Sequence, residues 1–246
     1  MDNSLLISLS QQIASYRSMD VIANNLANAS TPAYQREEPT FSEYVAHVQP
    51  VAGQGGTQTL SFVQDAGIVR DLSEGHLNTT DAPFDMAIHG KGYFAVQTPN
   101  GERYTRNGHF TLDNSGQIVT SNGDAVQGDG GAIIITPDDG DVHIAQDGTV
   151  SGKNGQIGRI RIVDFANPRA LTKEGASLFA ADGQSPATAT NFTLQSGMLE
   201  NSNVEPVVEI SHMIEVMRAY QATATMTQTQ EDLMRQAIDK LGSLNS

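Results

Sequence analysis

The apolar positions of this chain keep two different rhythms. Near the start, Leu5, Leu9, Gln12, Tyr16, Met19, Ala23 and Leu26 recur at alternating steps of four and three. That is the spacing of a heptad seam with one polar member. It predicts an N-terminal helix about 33 Å long at the ~1.5 Å rise of each helical residue. Asn3 or Ser4 suits its cap, and Pro32 pushes the residue before it out of helical conformation, so the helix is expected to stop near Ala29. At the other end Met213, Met217, Tyr220, Ala224, Thr227, Glu231, Met234, Ile238 and Leu241 keep the same step. Pro206 suits the first turn of that helix and Gly242 its end. Most amphipathic helices pack on their own domain. These two seams are narrow, interrupted by polar residues and placed at opposite ends of the chain, which favours pairing with each other and with further copies.

Between the helices the rhythm changes. Asn100-Gly101, Asn107-Gly108, Ser115-Gly116, Asn122-Gly123, Asp129-Gly130, Asp139-Gly140, Asp147-Gly148 and Asn154-Gly155 mark turns close enough to leave strands of about five residues. The runs between them, Tyr93–Val96, Ile118-Val119, Ile133–Ile135 and Ile160–Val163, are β-branched or aromatic. The expected fold is α+β and discontinuous: long N- and C-terminal helices paired as a coiled-coil-like bundle, with a central all-β meander or sandwich. Its blocks are an N-terminal helix over 1–32, a connecting segment over 33–74, the β-rich domain over 75–196, and a connection and helix over 197–246. Residues 33–74, with Gly53, Gly55 and Gly56 among Gln and Thr, read as irregular or extended.

Composition removes several function classes. Fourteen Lys and Arg against twenty-eight Asp and Glu leave a net charge of −14 over 246 residues, a poor surface for nucleic acid or anionic membrane. With no cysteine, disulfides, thiolate metal sites and cysteine nucleophiles are excluded. The N-terminus shows no secretory leader, and no segment approaches the roughly eighteen apolar residues of a membrane span. Gly90-Lys91-Gly92 is followed by Tyr93, and the glycines of 123–131 lack the Gly-Lys-Ser/Thr ending of a phosphate loop, so both read as hairpin turns. The histidines, His47, His76, His89, His109, His143 and His212, show no metal-ligand spacing. Asp138-Asp139-Gly140-Asp141 reads as a solvated turn in preference to a calcium loop. Asp71, Glu74, Asp81 and Asp85 could converge for sugar hydrolysis, but the aromatic platform usual for glycans is thin. No catalytic constellation, metal site or cofactor is expected.

Val21-Ile22-Ala23-Asn24-Asn25-Leu26-Ala27-Asn28-Ala29-Ser30-Thr31-Pro32 resembles the Asn-rich N-terminal signature of the bacterial flagellar rod and hook proteins. Leu199–Val204, Val207–Ile210, Met213-Ile214 and Arg218-Ala219-Tyr220 resemble their C-terminal signature. Pro83–Phe94 and Tyr104–Phe110 are similar to the β-domain core of the longer members. The opening Met1–Leu5 and Ser61–Asp65 look most like the proximal-rod member, with the distal-rod member as runner-up. One departure is Gln221–Thr227, which stands where the family commonly has a run bearing Glu and Lys.

The resemblance implies a structural subunit of the basal-body rod within the periplasm, with no enzymatic activity. It implies export by the flagellar type III apparatus without a cleaved leader, and as partners other copies of the chain and other proximal and distal rod proteins. The expected interface is Leu5, Leu9, Tyr16, Met19, Asn24, Asn25, Leu26 and Asn28 on the first helix, with Met213, Met217, Tyr220, Met234, Ile238 and Leu241 on the second. Residues 1–30 and 205–246 are expected to be largely disordered before assembly, because ordering costs about 1–2 kcal/mol per residue and needs partner burial to offset it. Asparagine is a poor helix-interior residue. Asn24 and Asn28, four apart, read either as part of a frayed last turn or as satisfying backbone groups of the next loop or of a neighbour. Ser202 or Asn203 reads as a cap for the second helix. The competing class is a secreted β-rich carbohydrate-active or adhesive protein whose terminal helices pack on its own β domain.

Overall fold

The computed structural model describes residues 2–48, 58–175 and 177–243. The first helix, α1, spans Asp2–Ala27, and the second, α2, spans Pro206–Ser243. Pro206 opens α2 where its missing N–H would have no helical partner, and the Glu205 carbonyl accepts the first turn's bond from Glu209 N–H at 3.0 Å. The threonine-rich run after Tyr220 is helical, and its hydroxyls are satisfied within the helix. Thr223, Thr225, Thr227 and Thr229 each donate to the carbonyl four residues back at 2.9–3.0 Å.

Residues 33–74, expected as irregular or extended, hold two extended strands paired as a long antiparallel ribbon. Strand β1, Glu37–Val48, pairs with β2, Gln58–Arg70, from Glu37 opposite Arg70 to Val48 opposite Gln58. The register shifts between Thr40 and Phe41, leaving Ala66 unopposed. There Gly67 takes φ +111°, and its N–H donates to Asp65 Oδ1 at 2.8 Å. An isolated two-stranded ribbon is marginal in water. This one is fastened to α1: Arg17 Nε lies 3.3 Å from Asp65, and Val63 N–H donates to Ser10 Oγ at 3.5 Å. Gly53, Gly55 and Gly56 lie outside the described residues.

The chain forms two units, one of Met1–Ala27, Glu37–Asp71 and Glu205–Ser246, the other of Asn28–Arg36 and Leu72–Val204. The second unit is the β domain. Its strands include β3 (Leu77–Thr79), β4 (Met86–Gly90), β5 (Tyr93–Thr98), β6 (Gly101–Thr105), β7 (Phe110–Leu112), β8 (Ile118–Thr120) and β9 (Ala125–Gly128). In its main sheet Thr172–Glu174, Leu178–Ala180, β6, β5, β9, β8 and β7 lie in that order. Ile162–Asp164 also pairs with β5. Most connections are tight hairpins. Asn122-Gly123, for example, turns β8 into β9 with Gly123 at φ +88°.

Strand β5 is covered on both faces. Phe94 and Val96 point into one core with Met86, Ile88, Ile118 and Leu194. Tyr93 and Ala95 point into another with Tyr104, Phe165 and Phe179. Ile133–Ile135, expected as a strand, makes only an isolated bridge from Ile134 to Gln117. Gly108 is needed for proximity: a Cβ there would fall 1.5 Å from the Met86 carbonyl oxygen, which accepts no side chain in its path.

A buried arginine ties the β domain together. Arg106 Nε donates to Glu200 at 2.9 Å, Nη1 to the Gly90 and Gly92 carbonyls at 2.8 and 3.1 Å, and Nη2 to the Ile88 carbonyl at 3.0 Å. Glu200 in turn accepts from Gly75 N–H at 3.2 Å, and its own carbonyl accepts from Ala33 N–H at 2.8 Å. Four acceptors held by one planar fork suit guanidinium and not ammonium. Arg106→Ala leaves Glu200 buried and unpaired, and is expected to lower stability by about 3–5 kcal/mol in chemical denaturation, with Arg106→Lys recovering little of it.

Burial lifts the Glu200 carboxyl above its ordinary range despite the attraction of Arg106. The folded protein therefore holds this proton more tightly than the unfolded chain does. The contribution of Glu200 to stability is complete below the ordinary carboxylate range and is lost as pH rises through the raised value. Glu200→Gln is expected to flatten that part of the stability–pH curve, measured by denaturation across mildly acidic pH.

Candidate assembly surface

Two helices in contact divide each surface into a covered and an uncovered face. On α1 the residues turned into the chain are small or polar: Ser8, Ala14, Ser15 and Asn25 are buried, with Val21 and Ile22. Small side chains allow close approach of the neighbouring backbone. Several large apolar residues lie elsewhere. Leu6, Leu9, Ile13 and Tyr16 are exposed at alternating steps of three and four, with Ile13 at 61% and Tyr16 at 62%.

On α2 the inner face runs through buried Glu209 and half-buried Met213, Val216, Tyr220, Thr223, Thr227, Gln230 and Met234. A second, exposed stripe holds Val207, Ile210, Ile214 and Met217, and farther along Met226, Leu233 and Ile238 are also exposed, Ile238 at 68%.

The residues expected to form one stripe on each helix therefore fall in two places. On α1, Leu5, Met19 and Leu26 are half-buried, whereas Leu9 and Tyr16 are exposed. On α2, Met213, Tyr220 and Met234 are half-buried on the inner face, and Met217 and Ile238 are exposed. The Leu241 side chain lies outside the described residues.

The asparagines divide as well. Asn24 is exposed, and Asn28 is half-buried, accepting from Thr31 Oγ1 at 3.3 Å and, through its carbonyl, from Thr31 N–H at 3.0 Å. The amide that joins elements is Asn25, only 1% exposed. Its Nδ2 donates to the Glu37 carbonyl at 2.8 Å, and its Oδ1 accepts from Glu37 N–H at 3.0 Å, so the amide pairs with the first residue of β1 as a strand neighbour would. Nδ2 also lies 3.4 Å from the buried Glu209 carboxylate of α2. One side chain thus fixes α1, β1 and α2.

Asn203 does not cap α2. Its Oδ1 accepts from Arg36 N–H at 2.7 Å, and its Nδ2 donates to the Ser73 carbonyl and hydroxyl at 3.0 and 3.1 Å. Lys173 Nζ lies over the Tyr34 ring at 4.4 Å. These contacts make Asn28–Arg36 part of the β domain. Ser202 accepts from Val204 N–H at 3.1 Å, a local turn ahead of the helix. The roles of Glu37, Glu209, Arg106 and Glu200 had no signal in local spacing.

Of the carboxylates weighed for sugar hydrolysis, Glu74 accepts from Gly90 N–H and pairs with His89 at 2.8 Å, while Asp85 pairs with His109 at 2.7 Å. In the Asp138–Asp141 turn, Asp139 accepts from Thr136 N–H and Oγ1, which hold its carboxyl below the usual range. Among the described residues no helix is long and apolar enough to cross a membrane.

Helices at both ends of the sequence with uncovered apolar stripes, and a β domain encoded between them, are the features of a subunit that assembles through its ends, as the rod and hook resemblance implies. Three family descriptions match in chain order: flagella basal body rod protein over residues 5–35, flagellar hook protein FlgE/F/G D1 domain over 87–152, and flagellar basal body rod FlgEFG protein C-terminal over 195–240. The chain belongs to the flagellar basal-body rod protein family. It is 38% identical to the flagellar basal-body rod protein FlgF of Caulobacter vibrioides, over all of both chains, and 31% identical to that of Mesorhizobium japonicum, over 99% of each. It is also 33% identical to the rod protein FlgG of Bacillus subtilis, over 90% of this chain and 92% of that one.

Asn25→Ala is expected to destabilise the helical unit by about 1–3 kcal/mol, because the part-buried Glu37 backbone groups and the buried Glu209 lose a partner. Asn24→Ala, at an exposed site, should cost less stability than Asn25→Ala. Thermal denaturation followed by helical circular dichroism distinguishes them.

Proposed function

We propose that this rod subunit lies in the proximal rod and joins its neighbours through the outer faces of α1 and α2. The observation that carries the reading is the uncovered stripe Leu6, Leu9, Ile13 and Tyr16, matched by Val207, Ile210, Ile214 and Met217. Full burial of a large apolar side chain is worth about 1.5–3 kcal/mol, and ordering a backbone residue costs a comparable amount. Terminal helices with so much exposed stripe gain much of their order when neighbours cover it. The 38% identity to the FlgF of Caulobacter vibrioides, against 33% to the FlgG of the same organism, supports the proximal over the distal position.

In this reading the chain acts in the periplasmic part of the basal body, reaches it through the flagellar type III apparatus without a cleaved leader, and has other copies and other rod proteins as partners. Its action is mechanical, without a catalytic step or cofactor. Leu9→Glu, Ile13→Glu and Tyr16→Glu, each at an exposed position, are expected to leave export and the unfolding of the β domain unchanged, while removing the protein from purified basal bodies and abolishing swimming. Wild-type incorporation of all three variants would overturn the assignment of this face.

A further inference from the structure

Beside the outer stripe of α1 is a solvent-open notch of about 170 Å³ framed by Ile13, Tyr16 and Asp20 of α1, Phe41 of β1, and Val63 and Asp65 of β2. A cavity of ~150 Å³ with apolar walls accommodates a molecule of the size of benzene, so the notch has room for one large apolar side chain. Its two rim carboxylates differ. Asp65 is engaged by Arg17 and by Gly67 N–H. Asp20 is exposed and makes no ion pair among the described residues.

The outer stripe of α2 offers the complement. Ile214 is 46% exposed, and Arg218 lies one turn farther along the same side, also exposed and without an ion pair among the described residues. Two chains of net charge −14 repel each other, so a lasting contact between copies needs cations placed opposite acids. Arg218 beside an uncovered apolar residue meets that need at the Asp20 side of the notch.

We infer that the notch of one copy receives Ile214 of a second copy and that Arg218 of that second copy pairs with Asp20. The inference rests on the assembly reading above and specifies its partner surfaces. Socket and inserted residue lie on different elements, so the contact is heterologous and each added copy presents an unfilled socket to the next. An isologous contact would instead close on itself as a dimer.

The test is charge reversal in the full-length protein, with incorporation into purified basal bodies measured by quantitative mass spectrometry. Asp20→Arg alone and Arg218→Asp alone are each expected to lower incorporation about tenfold, since each sets like charges face to face. The double reversal should restore incorporation to within about twofold of the parent. Both positions are exposed, and circular dichroism of the purified proteins checks that the helices are retained.

The absence of cysteine permits a second measurement. Cells producing one copy with Tyr16→Cys and another with Ile214→Cys should yield a covalent dimer on oxidation, with neither variant forming it alone. If the single reversals incorporate normally and no mixed dimer forms while the Leu9, Ile13 and Tyr16 glutamate variants are excluded, this pairing is overturned and the stripe reading stands. If those glutamate variants also incorporate, both are overturned. Single reversals that lower incorporation without recovery in the double variant likewise overturn the Asp20–Arg218 pair.

Discussion

Two helices side by side can hide only one stripe each, and both helices of this chain carry more apolar surface than that. The constraint is geometric: side chains spaced three and four apart share a face, and a single partner helix covers a limited arc. On α1 the covered arc is largely filled by serine, alanine and asparagine, which leaves Leu6, Leu9, Ile13 and Tyr16 outside. On α2 the half-buried arc from Met213 to Met234 leaves Ile210, Ile214 and Met217 uncovered. The β domain faces no such shortage. Its strands bury Phe94 and Val96 on one side and Tyr93 and Ala95 on the other, so its core is complete within the chain.

Where apolar packing underdetermines an arrangement, buried polar groups can specify it. Asn25 serves this purpose in the helical unit. An amide that must satisfy both the N–H and the carbonyl of Glu37 tolerates little sliding of α1 along β1, because a shift of one residue breaks both bonds. Glu209 adds α2 to the same point. In the β domain, Arg106 and Glu200 perform the same office across 94 residues of sequence. Neither cluster makes the fold strongly stable by charge alone, since desolvation offsets much of the attraction. Removing one member is costly because the other remains buried, so these clusters specify geometry more than they add stability.

The two helices and the turn-rich β domain were legible because each repeats its signal many times, as heptad steps or as Asn-Gly and Asp-Gly turns. The ribbon of β1 and β2 was not. Its register shift at Thr40 and Phe41, with Ala66 unopposed, breaks the two-residue period midway, and its short-range pattern reads as irregular. The α1 stripe was legible as a period but not as a face: Leu9 and Tyr16 of the expected seam lie outside, whereas Ser8, Ala14 and Ser15 lie inside with Val21 and Ile22. Local spacing drew attention to Asn24 and Asn28, whereas Asn25 lies inward beside Val21 and Ile22, where its amide meets Glu37. Arg106 and Glu200 left no trace, since nothing in the run Tyr104–Asn107 announces a partner so far along the chain.

A chain this acidic, if it joins further copies of itself as proposed above, must keep its charge from opposing growth. With cations only half as numerous as acids, general attraction between copies is unavailable, and long-range repulsion is screened over about 8 Å at physiological salt. Contact must then come from apolar stripes at short range, with the few cations placed where they count. In the β domain Arg103 is paired with Glu174 and Arg161 with Glu102, so those cations are already used within the chain. Arg218 on α2 makes no ion pair among the described residues, and it stands beside the uncovered stripe. Repulsion at a distance with attraction only on correct contact disfavours random aggregation of subunits before they reach a growing end, while leaving the ordered contact intact once made.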